Sequence, residues 1–234
     1  MKNQISFRVW GKYALFTDPI TRTGGEKFSY QIPTYEAIKG VLKSIYWKPT
    51  IVWQVDKLRV MKPIRTRTKS VKPLKWSGGN DLANYTFLND VEYQVQAHFK
   101  WNLHRPELEA DRIDGKHYAI AKRCLDKGGR QDIFLGVRDC QGYVEPCDFG
   151  EGVSPYDDLD QLDFGVMFHS FGYPDETGDE QLVSRLWRPR MVNGVVEFMP
   201  PEQCDIVETV RPMTAKKFTL DENHSSVEIT EAAL

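Results

Sequence analysis

Two neighbouring pairs of residues in this sequence have the types and placement to do chemistry. Lys116 and His117 open a predicted helix directly after Asp114 and Gly115. Asp114 reads as the N-cap, which puts both side chains in the first turn, where unpaired backbone N–H groups and the helix dipole favour an anion. A phosphodiester suits such a place. Imidazole can move a proton near neutral pH, and an ammonium can stabilise the extra negative charge of a pentacovalent phosphorane. The same two residues would also serve as a histidine packed on the helix's apolar face beside a solvated lysine. Tyr46 and Trp47 close the first predicted helix. Tyr46 falls one residue past that helix's apolar stripe, so its hydroxyl is expected to point out at the helix end. A core tyrosine with a satisfied hydroxyl is the other reading.

A third feature is electrostatic. From Lys57 to Lys75 there are eight Lys/Arg and no acid in nineteen residues. An acid-free run of that length repels itself unless a polyanion neutralises it. Lys57, Arg59, Lys62, Arg65, Arg67, Lys69 and Lys72 would track phosphates, and the flanking Trp53 and Trp76 would offer stacking platforms. The asymmetry extends to the whole chain: residues 1–130 carry a net charge of +12 and residues 131–234 carry −14. The first part is expected to meet a polyanion, and the second a partner protein or solvent. His98, His104, His169 and His224 lack metal-ligand spacing, and Asp157, Asp158 and Asp160 read as a solvated linker. With no P-loop, no G-x-S-x-G and no dinucleotide fingerprint, neither a metal nor a cofactor is expected.

These residues must be held by recognisable elements. Residues 4–16 alternate, with Ile5, Phe7 and Val9 on one strand face and Gly11 marking a bulge or kink. Pro33 and the N-cap candidate Thr34 introduce a helix whose stripe is Tyr35, Ile38, Leu42 and Ile45, ending before Pro49. Residues 51–71 read as strand broken near Pro63, with Arg65, Arg67 and Lys69 on one face. Thr86–Leu88 and Val91–Trp101 read as two strands joined by a turn at Asn89–Asp90. The second helix buries His117, Ile120, Ala121, Cys124 and Leu125 and stops at Gly128–Gly129. Asp132–Val137 completes a strand–helix–strand–strand–helix–strand order, the βαββαβ pattern of ferredoxin-like and RNA-recognition folds, which bind bases on the open sheet face.

The expected class is therefore α+β. A ferredoxin-like domain over residues 1–147 is followed by a small antiparallel β domain over residues 148–234. The latter comprises an acidic connector, strands at 164–171 and 182–199 with a hairpin at Asn193–Gly194, and a polar tail after Thr214. With 234 residues, 41% hydrophobic and 27% charged, the chain can bury a full core. No run approaches the roughly 18 apolar residues that span a bilayer, and the N-terminus has no signal-peptide core. Four cysteines without C-x-x-C spacing suit reduced thiols, so a cytoplasmic protein without membrane contact is expected.

The stretch GGEKFSYQIPTYEAIKGVLKSIYWKPTIVWQVDKLRVMKPIRTRTKSV resembles the fifth family of CRISPR-associated proteins, in the RAMP superfamily, and in particular its type I-C (Dvulg) form. SFRVWGKYALFTDP, DGKHYAIAKRCLDKGGRQDIFLGVRDC and RLWRPRMVNGVVEF extend the resemblance over nearly the whole chain. It implies a RAMP domain and a metal-independent endoribonuclease that cuts the repeat hairpin of precursor CRISPR RNA near its base. By 2′-hydroxyl attack this leaves a 2′,3′-cyclic phosphate and a 5′-hydroxyl. The family's catalytic tyrosine, lysine and histidine correspond to Tyr46, Lys116 and His117. Its glycine-rich RNA loop corresponds to the short Lys127–Gly128–Gly129–Arg130, with Lys127 and Arg130 as contacts. The implied partners are the repeat hairpin, the mature guide RNA held by its 5′ handle, the backbone and large subunits of the type I-C surveillance complex, and, as a further candidate, double-stranded DNA. Wider-family members that hold the handle without cutting leave a non-catalytic role open. Which of Tyr46 and His117 is the base also stays open.

Overall fold

The alternation in QISFRVWGKYA produces a strand, β1 (Gln4–Ala14), that buries Ile5, Phe7 and Val9 and turns Gln4 and Arg8 the other way. The computed structural model describes residues 2–19 and 21–217. The expected disorder of the polar tail, from residue 218 on, falls outside them. Gly11 neither bulges nor kinks β1, which keeps one register against its neighbour from Gln4 to Ala14. Its role is close approach: a Cβ there would stand 2.9 Å from the Gln141 carbonyl and 2.7 Å from Leu135.

After β2 (Lys27–Phe28), helix α1 (Tyr35–Ile45) starts where Thr34 accepts a hydrogen bond from Ala37 N–H (3.1 Å). It buries Tyr35, Ile38, Leu42 and Ile45. The run that follows divides as Pro63 predicts, into β3 (Ile51–Val60) and β4 (Thr66–Val71). The expected turn at Asn89–Asp90 is absent: β5 (Ala83–Trp101) is one strand of 19 residues. A two-residue hairpin of type I′ needs positive φ at both central positions, and only Asp90 has it (φ 56°). β1 lines one edge of β5 past this point, β4 and then β3 line the other, and the strand is held extended.

Helix α2 (Lys116–Asp126) is capped differently from expectation. Its N-cap is Gly115 at φ 76°, with no side-chain cap, and Asp114 only accepts from the Gly115 N–H. The helix ends as predicted, with Gly128 (φ 84°) and Gly129 (φ 108°) folding their N–H groups back onto Leu125 and Cys124 carbonyls. The strand expected at 132–137 is reduced to β6 (Ile133–Phe134), and β7 (Gln141–Pro146) takes the place beside β1. Gly136 explains the shortening, since at φ 93° it leaves extended backbone to turn past the Leu15 carbonyl.

The remaining elements are β8 (Leu162–Asp163), β9 (Met167–Gly172), a short helix α3 (Pro174–Thr177), β10 (Gln181–Trp187), β11 (Arg190–Val192), β12 (Val195–Glu197) and β13 (Ile206–Pro212). Asn193 (φ 47°) and Gly194 (φ 76°) make the predicted hairpin turn between β11 and β12. The architecture is α+β and mostly antiparallel. A ten-stranded sheet runs β6-β7-β1-β5-β3-β12-β11-β8, with β2 and β4 also on β5, beside a three-stranded sheet β13-β10-β9. The large sheet passes the 147/148 position, because β12 pairs with β3 through Val195–Arg59 and Val196–Leu58. Phe7, Val9, Trp53, Val55, Val95, Ala97 and Phe99 pack with the buried stripes of the helices to form the core.

Residues expected to leave the opposite face open are covered. The Arg59 guanidinium donates to the Glu151 and Gly152 carbonyls and forks onto Asp157 (2.7 and 2.9 Å). Gln94, its partner in register, bonds the Glu151 carbonyl and the Gly150 N–H. The acidic connector thus lies across this part of the sheet. All four cysteines are free thiols. Among the described residues no helix is long and apolar enough to cross a membrane.

Candidate active site and nucleic-acid surface

The end of α1, the start of β3, a 3-10 turn at Pro106–Asp111 and the first turn of α2 converge on one buried cluster. α1 stops where Tyr46 leaves helical backbone, its N–H still bonded to the Leu42 carbonyl, and the indole N–H of Trp53 holds the Tyr46 carbonyl (2.8 Å). The Tyr46 Oη then lies 2.8 Å from His117 Nδ1. The other ring nitrogen, Nε2, is 2.8 Å from the main-chain carbonyl of Asp111. A carbonyl can only accept, so Nε2 carries the proton, and Nδ1 accepts from the tyrosine hydroxyl. Trp101 meets the imidazole edge-on at 5.5 Å between ring centres.

Asp111 is the hub, and it is absent from the residues expected from sequence. Its Oδ1 accepts from Lys116 Nζ (2.9 Å), and its Oδ2 accepts from Thr50 Oγ1 (2.5 Å) and lies 3.4 Å from His117 Nε2. Burial alone would push this carboxyl up. The hydrogen bonds from His117, Thr50 and Lys116, with the nearby positive charge, outweigh it and hold the group well below the usual carboxylate range. An aspartate six residues ahead of a histidine is the only trace of this contact in the sequence.

Tyr46 and His117 have no exposed surface, Asp111 is 3% exposed, and the Lys116 side chain is 16% exposed. The expectation that the Tyr46 hydroxyl points out of the helix end is therefore corrected. Nδ1 of His117 supplies a buried acceptor, which makes an inward hydroxyl favourable. Lys116 is the member of the cluster that reaches the surface.

The basic residues divide into engaged and available groups. Arg59 is 6% exposed and spent on the acidic connector, so it is not a phosphate contact. Lys57 pairs with Glu197 and Lys62 with Asp90, both near the surface. Arg65 and Lys72 are exposed, Arg67 reaches the Tyr13 hydroxyl, and the Lys69 ammonium sits 3.4 Å from the centre of the Tyr13 ring. Trp76 is fully exposed at the end of this arm, whereas Trp53 is 1% exposed and is a core residue, not a platform. Lys127 and Arg130 are exposed in the loop after α2, which packs on the last turn of α1 through N–H groups of Arg130 and Gln131 on the Ser44 carbonyl.

The two features lie at opposite ends of β5. Arg67 pairs with Phe87, while the His117 ring contacts Phe99, twelve positions on. At about 3.3 Å per residue that is roughly 40 Å along the strand. Among the described residues no group of three or more His, Cys, Asp and Glu is placed to hold a metal, and His224 lies outside them.

A chain with this fold and cluster can be compared with known families. Residues 4–199 match the Cas_Cas5d family profile, described as "CRISPR-associated protein (Cas_Cas5)". The chain belongs to this Cas5d family of CRISPR-associated proteins. It is 29% identical over 228 residues to the "CRISPR pre-crRNA endoribonuclease Cas5d" of Mannheimia succiniciproducens, covering 86% of this chain and 96% of that one. Identity to the protein of the same name from Thermus thermophilus is 28% over 189 residues, or 76% and 78% of the two chains. A solved structure titled as a CRISPR-associated protein superposes with a TM-score of 0.71 at 35% identity, covering 88% of this chain and 96% of that chain. A functionally uncharacterized protein from Streptococcus mutans gives 0.70 at 36%, covering 88% and 97%.

Proposed function

We propose that this protein is a CRISPR pre-crRNA endoribonuclease that cuts the repeat hairpin and keeps the 5′ handle of its product as a subunit of the type I-C surveillance complex. The observation that carries the reading is the meeting of Tyr46 and His117, 71 positions apart, in a hydrogen bond beside Lys116. Proton transfer and phosphorane stabilisation need those three groups within reach of one phosphate. The 2′-oxygen beside the scissile phosphate attacks phosphorus and the P–O5′ bond breaks, giving a 2′,3′-cyclic phosphate and a 5′-hydroxyl. The proton of the 2′-hydroxyl enters the Tyr46–His117 relay, with Tyr46 passing its own hydroxyl proton to the Nδ1 it already bonds, and the departing 5′-oxygen takes a proton back from the relay. Lys116, the member of the cluster that reaches the surface, meets the phosphate first. In-line positioning supplies much of the acceleration, so no metal is called for.

The covered positions of Tyr46 and His117 require side chains above them to move when RNA docks. They also favour a second reading, in which the chain only caps the guide handle in the complex. One experiment separates the two. A labelled repeat hairpin is incubated in EDTA with wild type and with His117→Ala, beside a substrate carrying 2′-deoxy at the cut site. The enzyme reading expects one cut by wild type, none by the variant, none in the deoxy RNA, and similar binding throughout. Tight hairpin-selective binding with no cut by wild type would leave the capping role.

The separation of roughly 40 Å along β5 supports different tasks for the two ends. Cutting belongs to the cluster at Trp101, and the available Arg65, Arg67, Lys69, Lys72 and Trp76 hold a more distant part of the guide RNA or, as a further candidate, duplex DNA. The antiparallel run β7-β1-β5-β3, with α1 and α2 against it, supports reading residues 1–147 as the ferredoxin-like RAMP domain. The acidic part of the chain, read from sequence as residues 148–234, adds strands β12, β11 and β8 to the same sheet, with the backbone and large subunits of the complex as its expected neighbours.

A further inference from the structure

We propose that Asp111 is a positioning residue for this reaction, acting through both Lys116 and His117, an inference that rests on the nuclease reading above. One carboxylate oxygen takes the Lys116 ammonium at 2.9 Å, and the other faces His117 Nε2 at 3.4 Å while Thr50 fixes it from the turn just before β3. The same residue's main-chain carbonyl accepts the Nε2 proton at 2.8 Å. Asp111 therefore does two things at once. It keeps the histidine in the tautomer whose Nδ1 faces Tyr46, and it places a negative charge where an imidazolium forms when the relay accepts a proton. It also holds the lysine charged and aimed at the mouth of the cluster until a phosphate takes its place.

The titratable groups facing His117 are Tyr46 from the end of α1, Asp111 from the 3-10 turn and Lys116 from its own helix. β5 contributes the aromatic rings of Phe99 and Trp101. Asp111 is faced by Thr50, Lys116 and His117. Its carboxyl is held ionised by these same neighbours, so the charge is in place across the range in which the enzyme would work.

The test is Asp111→Asn, which keeps the shape and an acceptor for Thr50 but removes the charge. Single-turnover cleavage of the repeat hairpin at neutral pH should fall on the order of 100-fold, with binding of the 2′-deoxy hairpin unchanged. A negative charge favours the protonated form of both neighbours, so its loss should move both limbs of the pH–rate profile to lower pH. A purely structural role would lower the rate evenly and leave the limbs where they were, and that result overturns the proposal. Wild-type rate and profile in Asp111→Asn, with His117→Ala inactive, would overturn it while leaving the nuclease reading intact. Failure of wild type itself to cut would fail the nuclease reading instead. Should Asp111→Asn not fold, long-range ¹⁵N–¹H spectra of wild type decide the tautomer. Protonation at Nε2 supports the assignment, and protonation at Nδ1 refutes it.

Discussion

Replacing Tyr46 by phenylalanine removes one oxygen from a site with no exposed surface, and both consequences can be worked from the geometry. The hydroxyl is the partner of His117 Nδ1 at 2.8 Å, so its loss leaves a buried acceptor unsatisfied. That costs about 1–3 kcal/mol of stability. For a chain of this length it corresponds to a fall of roughly 2–12 °C in Tm. The ring's packing is kept, so the fold survives. The effect on cleavage should be larger, because a proton-transfer group contributes about 10²–10⁴-fold in rate. The assay is single-turnover cleavage of a labelled repeat hairpin with protein in excess, beside the affinity for a 2′-deoxy hairpin, which should change little. Tyr46 and His117 act as one relay, so Tyr46→Phe combined with His117→Ala should cut no more slowly than His117→Ala alone. A Tyr46→Phe protein that cuts within about threefold of wild type, or two variants whose losses multiply, would refute the relay.

Charge reversal at Arg67 and Lys69 should weaken repeat binding and flatten its dependence on salt by about one phosphate contact each, without altering the cleavage rate of bound RNA. Trp76→Ala should leave Tm unchanged and, if a base stacks there, reduce affinity by about 1–3 kcal/mol in a fluorescence titration. Gly136→Ala should lower the unfolding free energy by at least about 2 kcal/mol, seen as a lower denaturation midpoint. Its φ is 93° and the new Cβ would sit 2.0 Å from the Leu15 carbonyl, so an unchanged midpoint would contradict that approach. His169 is buried against Tyr35, and burial, outweighing its bond to the Met199 carbonyl, lowers its pKa to about 4. The folded state therefore binds fewer protons than the unfolded one between pH 6.5 and 4. Stability should fall by about 3 kcal/mol as pH drops through that window, and His169→Gln should lose that part of the slope in denaturant titrations.

The α+β class, the capped first helix, the break at Pro63 and the glycine stop of α2 follow from local chemistry, which is why they are legible in the sequence. Thr34, Pro63 and Gly128–Gly129 act on their own backbone within a few residues. The chemical types of Tyr46, Lys116 and His117, and the acid-free run around Arg65, Arg67 and Lys69, are equally visible because they depend on composition and short spacing. What depends on strand pairing is not. Asn89–Asp90 carries a turn signal, yet β5 passes straight through it because hydrogen-bonded neighbours on both edges favour extension. Arg59 looks like every other cation of its run until β3 and β5 place it beneath the connector carbonyls and Asp157. Asp111 is one of 33 acids in the sequence, and only the packing of a 3-10 turn between α1 and α2 brings it onto both Lys116 and His117. The sequence by itself determined which groups are available for RNA chemistry. The tertiary structure decided which of them meet, which are covered and how far the cluster lies from the basic arm, because those relations depend on contacts between residues dozens of positions apart.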